Sequence, residues 1–168
     1  MRVDLRYVPH ALVIGAAVSI AGIFATPLLA QAPAPTPLSQ ARQIVETRRA
    51  IFTLIGANFR PLGAVLKGEK PYDGADAEKR LTRIVFLSAL LDEAFPDSSN
   101  IGLPDTKTKA EAWSDRDDFT KKLKEFQSNA AALQKVNSAE KSDTDAFKTA
   151  LKNVAQGCKG CHDTYKEK

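Results

Sequence analysis

Apolar residues recur at steps of three and four along most of the chain. From Ser39, read as an N-cap, the stripe Ile44, Ile51, Phe52, Ile55, Phe59 and Leu62 marks one face of a first helix. Pro61 should kink this helix or end its regular part, and Gly68 closes the segment. Lys70-Pro71-Tyr72-Asp73-Gly74 is turn chemistry. A second helix starts near Asp73 or Asp76, with Leu81, Ile84, Val85, Ser88, Leu91 and Phe95 on its apolar face and Pro96 as its stop. Residues 96–112 show little periodicity, and a connection of that length more often than not carries a function. Ser114 to Asp117 reads as a capping box opening a third helix, striped by Phe119, Leu123, Phe126, Ala130 and Leu133. Ser142 to Asp145 repeats the cap signature for a fourth helix. Its face holds Phe147, Ala150, Leu151, Val154, Cys158, Cys161, His162 and Tyr165. No segment alternates with the period of a strand. Four helices of roughly 20 residues, each about 30 Å long, predict an all-α, antiparallel four-helix bundle.

The front of the chain breaks the pattern. Arg2 and Arg6 precede an apolar run from Ala11 to Ala30, interrupted by Ser19, Thr26 and Pro27, with small residues at its end. Residues 1–30 therefore read as a secretory signal peptide, the alternative being an uncleaved membrane anchor. Residues 31–37 form a Pro/Ala linker, and 38–168 one folded domain outside the cytoplasm. An apolar fraction of 43% and a charged fraction of 26% suit a soluble domain. Removing Arg2, Arg6 and Asp4 from 24 basic and 20 acidic residues leaves 22 − 19 = +3. The charges are interspersed, with no basic stripe of the kind nucleic acid needs.

The densest chemistry lies at the end of the fourth helix, in Cys158-Lys159-Gly160-Cys161-His162. A thioredoxin-like dithiol would need a βαβ setting, and a closed zinc site would need four ligands; neither is found. Two cysteines flanking two residues, with a histidine next, define a c-type haem attachment site. Each thiol adds across one vinyl group, and His162 becomes an axial iron ligand. The apolar register of the motif delivers one covalently attached haem c into the core.

The inventory of ligands then matters. A low-spin carrier uses a second strong axial donor, commonly Met or His. Here the only methionine is Met1 and the only other histidine is His10, both in the signal segment. The mature chain offers only a lysine amine, at the cost of burying it deprotonated. A five-coordinate haem with one open face is expected, a site for small neutral diatomics such as NO and CO.

The chain resembles the cytochrome c′ family, the class II c-type cytochromes. The likeness is carried by Arg48-Arg49-Ala50-Ile51-Phe52-Thr53-Leu54-Ile55, by Pro71-Tyr72-Asp73, by Ala112-Trp113-Ser114-Asp115, by Phe119 and by the Cys158 to Lys166 end. The resemblance implies roles. Arg48 would lie near a haem propionate, and Phe52 would cover the open iron face, where low-spin relatives carry methionine. Lys166 would stand beside the proximal imidazole. Arg49 replaces a usual glutamine at a propionate contact, Thr106 and Lys107 would touch the haem edge, and Trp113 would pack against it. A periplasmic protein binding NO or CO and exchanging one electron with an unknown redox partner is expected, and a homodimer through the first two helices. Alternatives are a plain electron carrier and an NO-reducing or weakly peroxidatic enzyme. The reading names no catalytic residue.

Overall fold

The computed structural model describes residues 34–168. The signal segment, with Met1 and His10, and the first part of the linker lie outside the described residues. Four long helices build the fold: α1 Pro37–Leu66, α2 Gly74–Ala89, α4 Arg116–Glu140 and α5 Asp145–Tyr165, with a single turn, α3 Glu111–Ser114, before α4. No β-strand occurs among the described residues. The all-α four-helix bundle expected from the apolar stripes is the fold.

Each helix start has a local cause. α1 begins three residues earlier than Ser39 suggested. Thr36 is the N-cap, its Oγ1 accepting from Ser39 N at 3.1 Å, and Pro37 takes the first position, where its missing N–H costs nothing. Pro61 neither ends nor divides α1; the helix continues to Leu66 with one donor fewer. Asp73 caps α2, accepting from Asp76 N at 3.0 Å. Thr144, rather than Ser142, caps α5, accepting from Phe147 N at 3.1 Å. The capping box read at Ser114 does not form. Asp115 holds the N-cap position of α4, but its carboxylate accepts from the Tyr165 hydroxyl at 3.3 Å instead.

The α-helical part of the second helix ends at Ala89, before Pro96, and a 3₁₀ turn Leu90–Glu93 carries Leu91 into the core. Leu81, Ile84, Leu91, Leu133, Phe147 and Leu151 form its fully buried centre. At the end away from the cysteines, Tyr72 Oη donates to Asn137 Oδ1 at 2.9 Å and Asn137 Nδ2 to Glu78 Oε2 at 2.9 Å. Three seams of the bundle are well packed: α1 on α2, α2 on α4, and α4 on α5. The α1–α5 seam is the loosest, so the bundle gapes between α1 and α5.

Candidate haem site

A cavity of about 760 Å³ opens along that seam. Its size falls within the ~300–1,000 Å³ usual for small-molecule and cofactor sites. α5 runs unbroken through the cysteine motif, so Cys158, Cys161, His162 and Tyr165 share one side of it at steps of three and four, and all four line the cavity. Both cysteines are half-buried, and burial pushes their thiols above the ordinary range. His162 is exposed at residue level; the surrounding protein and the Lys166 charge still hold its imidazole below the ordinary histidine value. The ring is therefore neutral near pH 7, with a nitrogen lone pair available.

Opposite the motif, Phe52 projects from α1, 36% exposed, its ring centroid 6.4 Å from that of His162 and inclined at 66°. Ile55, Phe59, Phe119, Leu123 and Phe126 make the wall between them apolar. Arg48, Arg49, Lys107, Lys122 and Lys166 also line the cavity, and no carboxylate does.

Arg48 is the unusual member. It is 2% exposed, and its guanidinium donates from Nη1 to Ala94 O and Ser99 Oγ, each at 3.0 Å, and from Nη2 to Thr106 Oγ1 at 3.1 Å. Its Cζ sits 4.6 Å from the Phe95 ring centroid and 5.6 Å from that of Trp113. Burial, reinforced by Arg49, lowers it to about 10. Among the described residues no carboxylate pairs with it, so a buried cation is hydrogen-bonded without being neutralised.

The other residues singled out from sequence fall into two groups. Arg49, Lys107 and Lys166 reach the cavity, as Arg48 and Phe52 do. Lys107 Nζ donates to the Lys168 backbone oxygen at 3.2 Å. Thr106 and Trp113 do not line the cavity. Thr106 is buried behind Arg48, and Trp113 stacks on Phe95 at 6.2 Å while its Nε1 donates to Pro96 O at 3.1 Å. Both support the guanidinium from the rear.

Sequence reasoning missed several participants. Ser99 comes from an aperiodic loop, which gives no signal, and the Ala94 carbonyl is a backbone group at the end of the second helix's stripe, which no residue pattern reports. Arg42 pins the same loop through Asp105 at 3.1 Å. Tyr165, read only as part of an apolar stripe, is 3% exposed and donates to Asp118 Oδ2 at 2.6 Å. Lys122 lines the cavity one turn after Phe119, a spacing that could have pointed to it.

These residues fit a haem. A flat apolar ring carrying two carboxylates matches an apolar slot lined by cations alone, and an un-neutralised buried arginine is the natural partner for one of them. The two thiols and the neutral imidazole are the groups that would supply the covalent and axial attachments. Fold and site together define a c-type cytochrome of the helical-bundle class. The family model described as Cytochrome C′ matches residues 43–166. The chain belongs to the cytochrome c′ family, and its cofactor is covalently attached haem c. It is 34% identical over 143 residues to the cytochrome c′ of Cereibacter sphaeroides, covering 84% of this chain and 94% of that one. Among solved structures, cytochrome c prime from Shewanella frigidimarina is 41% identical with a TM-score of 0.71, covering 76% of this chain and 97% of that one. A nitric oxide complex of a cytochrome c prime mutant from Alcaligenes xylosoxidans is 32% identical with a TM-score of 0.68, covering 76% and 97%.

Proposed function

We propose that this protein is an exported, periplasmic monohaem cytochrome that binds NO or CO at an open haem face and exchanges one electron. The observation that carries the reading is the composition of the cavity wall: His162 is its only imidazole, and it contains no methionine. A bound haem would supply a redox-active iron. His162 would hold it, and Phe52, on the facing wall, would cover the cavity there. Lys122, one of the lysines on the wall, is held by Asp118 at 3.5 Å, and Lys107 by the Lys168 oxygen, so neither amine is free to serve as a sixth ligand at no cost.

Phe52, Ile55, Gly56 and Phe59 give the covered side an apolar lining. Bound O₂ gains most from a hydrogen-bond donor, which this lining lacks, whereas NO and CO depend on it less. A mutant of the Alcaligenes xylosoxidans relative solved as a nitric oxide complex supports NO binding here. No carboxylate and no second histidine lines the cavity, so proton transfer to a bound ligand has no obvious donor, which argues against a reductase or peroxidase. Arg48, Arg49 and Thr53, from the same helix as Phe52, do line it and are the polar groups on that side. Export follows from the signal read in residues 1–30. Among the described residues no helix is long and apolar enough to cross a membrane. Exposed Leu54, Phe86 and Leu90 on α1, α2 and the turn after it support self-association.

Optical spectra of the purified holoprotein, oxidised and reduced, with and without NO and CO, test the reading. Broad high-spin bands and a shift with each gas are expected. Sharp, split α and β bands in the reduced protein, unmoved by CO, would overturn it.

A further inference from the structure

The loop after α2 is fastened on both sides of the haem cavity, and one buried hydroxyl joins the fastenings. Thr106 is 3% exposed. Its Oγ1 accepts from Arg48 Nη2 at 3.1 Å and from Thr108 N at 3.1 Å, and donates to Thr108 Oγ1 at 3.2 Å. A hydroxyl has one proton and two acceptor sites, so the group is fully used. Two residues on, the loop pairs with the end of the chain. Lys109 N donates to Tyr165 O at 2.9 Å and Glu167 N to Lys107 O at 2.8 Å, with Thr108 opposite Lys166 in an antiparallel bridge. Lys166 N in turn donates to His162 O at 3.2 Å, closing the last turn of α5.

We propose that Thr106 is a positioning residue that links the buried Arg48 guanidinium to the backbone around His162. It touches neither the cavity nor the histidine, and acts through Thr108 and its single bridge to Lys166. The linkage is short and continuous: Arg48, Thr106 and Tyr165 are buried, Thr108 and Lys109 half-buried, and only its outer members Lys107, Lys166 and Glu167 are exposed, so a displacement at the buried end is passed on through hydrogen bonds. When a carboxylate of the cofactor meets Arg48, the guanidinium is held between that anion and Thr106. Thr106 in turn fixes the segment 107–109 against 165–167. The rotation of the imidazole is thereby set partly from the opposite side of the cavity. This inference rests on His162 being the axial ligand.

Thr106→Val keeps the shape and removes the hydroxyl, and Thr106→Ser restores it. In the holoprotein, native-state hydrogen exchange of the Lys109 and Glu167 amides should quicken about tenfold in the valine variant, the scale of one net hydrogen bond. It should return to the wild-type rate in the serine variant. The iron–histidine stretching band in the resonance Raman spectrum of the ferrous protein should shift or broaden with valine and recover with serine. Unchanged exchange and an unmoved band in Thr106→Val would overturn the linkage, as would equal quickening at Asn137 and Ala77, which marks general destabilisation. If valine prevents folding, Thr108→Ala removes only the side-chain leg, and the same two amides should quicken by a smaller factor; no change there would also overturn it. Absence of any iron–histidine band would sink the ligand assignment itself, while the amide rates still report on the linkage.

Discussion

The Tyr165 hydroxyl pins the end of the haem-bearing helix to the start of α4, and its removal has a calculable effect. Tyr165→Phe deletes the bond to Asp118 Oδ2 at 2.6 Å and the weaker one to Asp115 Oδ2 at 3.3 Å, while the ring keeps its edge contact with Phe119 at 5.2 Å. A hydrogen bond to a charged acceptor contributes about 1.5–3 kcal/mol. The Asp118 side chain is 39% exposed and keeps Lys122 at 3.5 Å, so water and the lysine recover part of the loss. A net destabilisation of about 1.5 kcal/mol is expected, or about 5 °C for a domain of this size. The pH dependence is the sharper test. Tyr165 is the first cause holding the Asp118 carboxyl below its ordinary 3.8, so this stabilisation is present above that value and lost as pH falls through the lower folded-state value. At the other limit, burial and Asp118 raise the Tyr165 hydroxyl well above its ordinary 10.0. The unfolded wild type ionises there while the folded form does not, so wild-type stability falls as pH rises through that value. Urea unfolding of wild type and variant, followed by circular dichroism, should show a gap that is flat between these limits and narrows beyond both. A gap of constant size from acid to alkali, or no gap near neutrality, would refute the argument.

Phe52→Met places a thioether where the phenyl ring covers the cavity, and the reduced spectrum should become six-coordinate and low-spin with CO binding suppressed; optical titration checks it. Arg48→Ala removes three donors and leaves the Ser99, Ala94 and Thr106 oxygens short of partners, offset in part by relief of the buried charge, for a net loss of about 2–4 kcal/mol in urea unfolding. Arg48→Lys should not rescue it, since one ammonium does not reproduce the planar fork. Thr144→Ala deletes the α5 N-cap and should cost about 1 kcal/mol with no change in the haem spectrum, measured by the same two methods.

What the sequence made legible follows the range of the forces involved. Apolar stripes with helical period gave four helices because burial of one face is a local pattern repeated every turn. The cysteine–histidine motif was legible because its chemistry fixes its own spacing. Cap positions were less so: Thr36, Ser39, Ser114, Ser142 and Thr144 are all competent caps, and the choice depends on what each carboxylate or hydroxyl meets in three dimensions. Asp115 is the clear case, its side chain drawn off by Tyr165 from fifty positions along the chain. The Arg48 site shows the limit most plainly. The likeness to the family singled out Arg48, yet two of its acceptors, Ser99 and Thr106, lie on a loop with no period and the third is the backbone oxygen of Ala94, just after the turn that ends the second helix. Sequence could name the arginine, and only the fold could name what holds it.

The placement of the cavity follows from the same division of labour among the seams. α2 and the turn after it are joined to α4 by polar ties: Lys124 to Asp92 in the turn, Gln127 to Ser88 O at 2.8 Å, Gln134 to Thr82 at 2.9 Å and Asn137 to Glu78. α4 holds α5 through Tyr165 and a continuous apolar face. Between α1 and α5 no side-chain hydrogen bond is made among the described residues, and most of their facing positions, Phe52, Ile55, Phe59, Cys158 and Cys161 among them, are apolar or thiol. A seam with no polar ties and poor direct packing exposes apolar surface to water unless something fills it. A covalently tethered apolar ring would do that, and its carboxylates would suit Arg48, the one buried cation among the described residues that has no counter-charge. The cofactor would thus complete the weakest contact of the bundle. The loop carrying Thr106 is held to α1 on one side and to the end of α5 on the other, across the same gap.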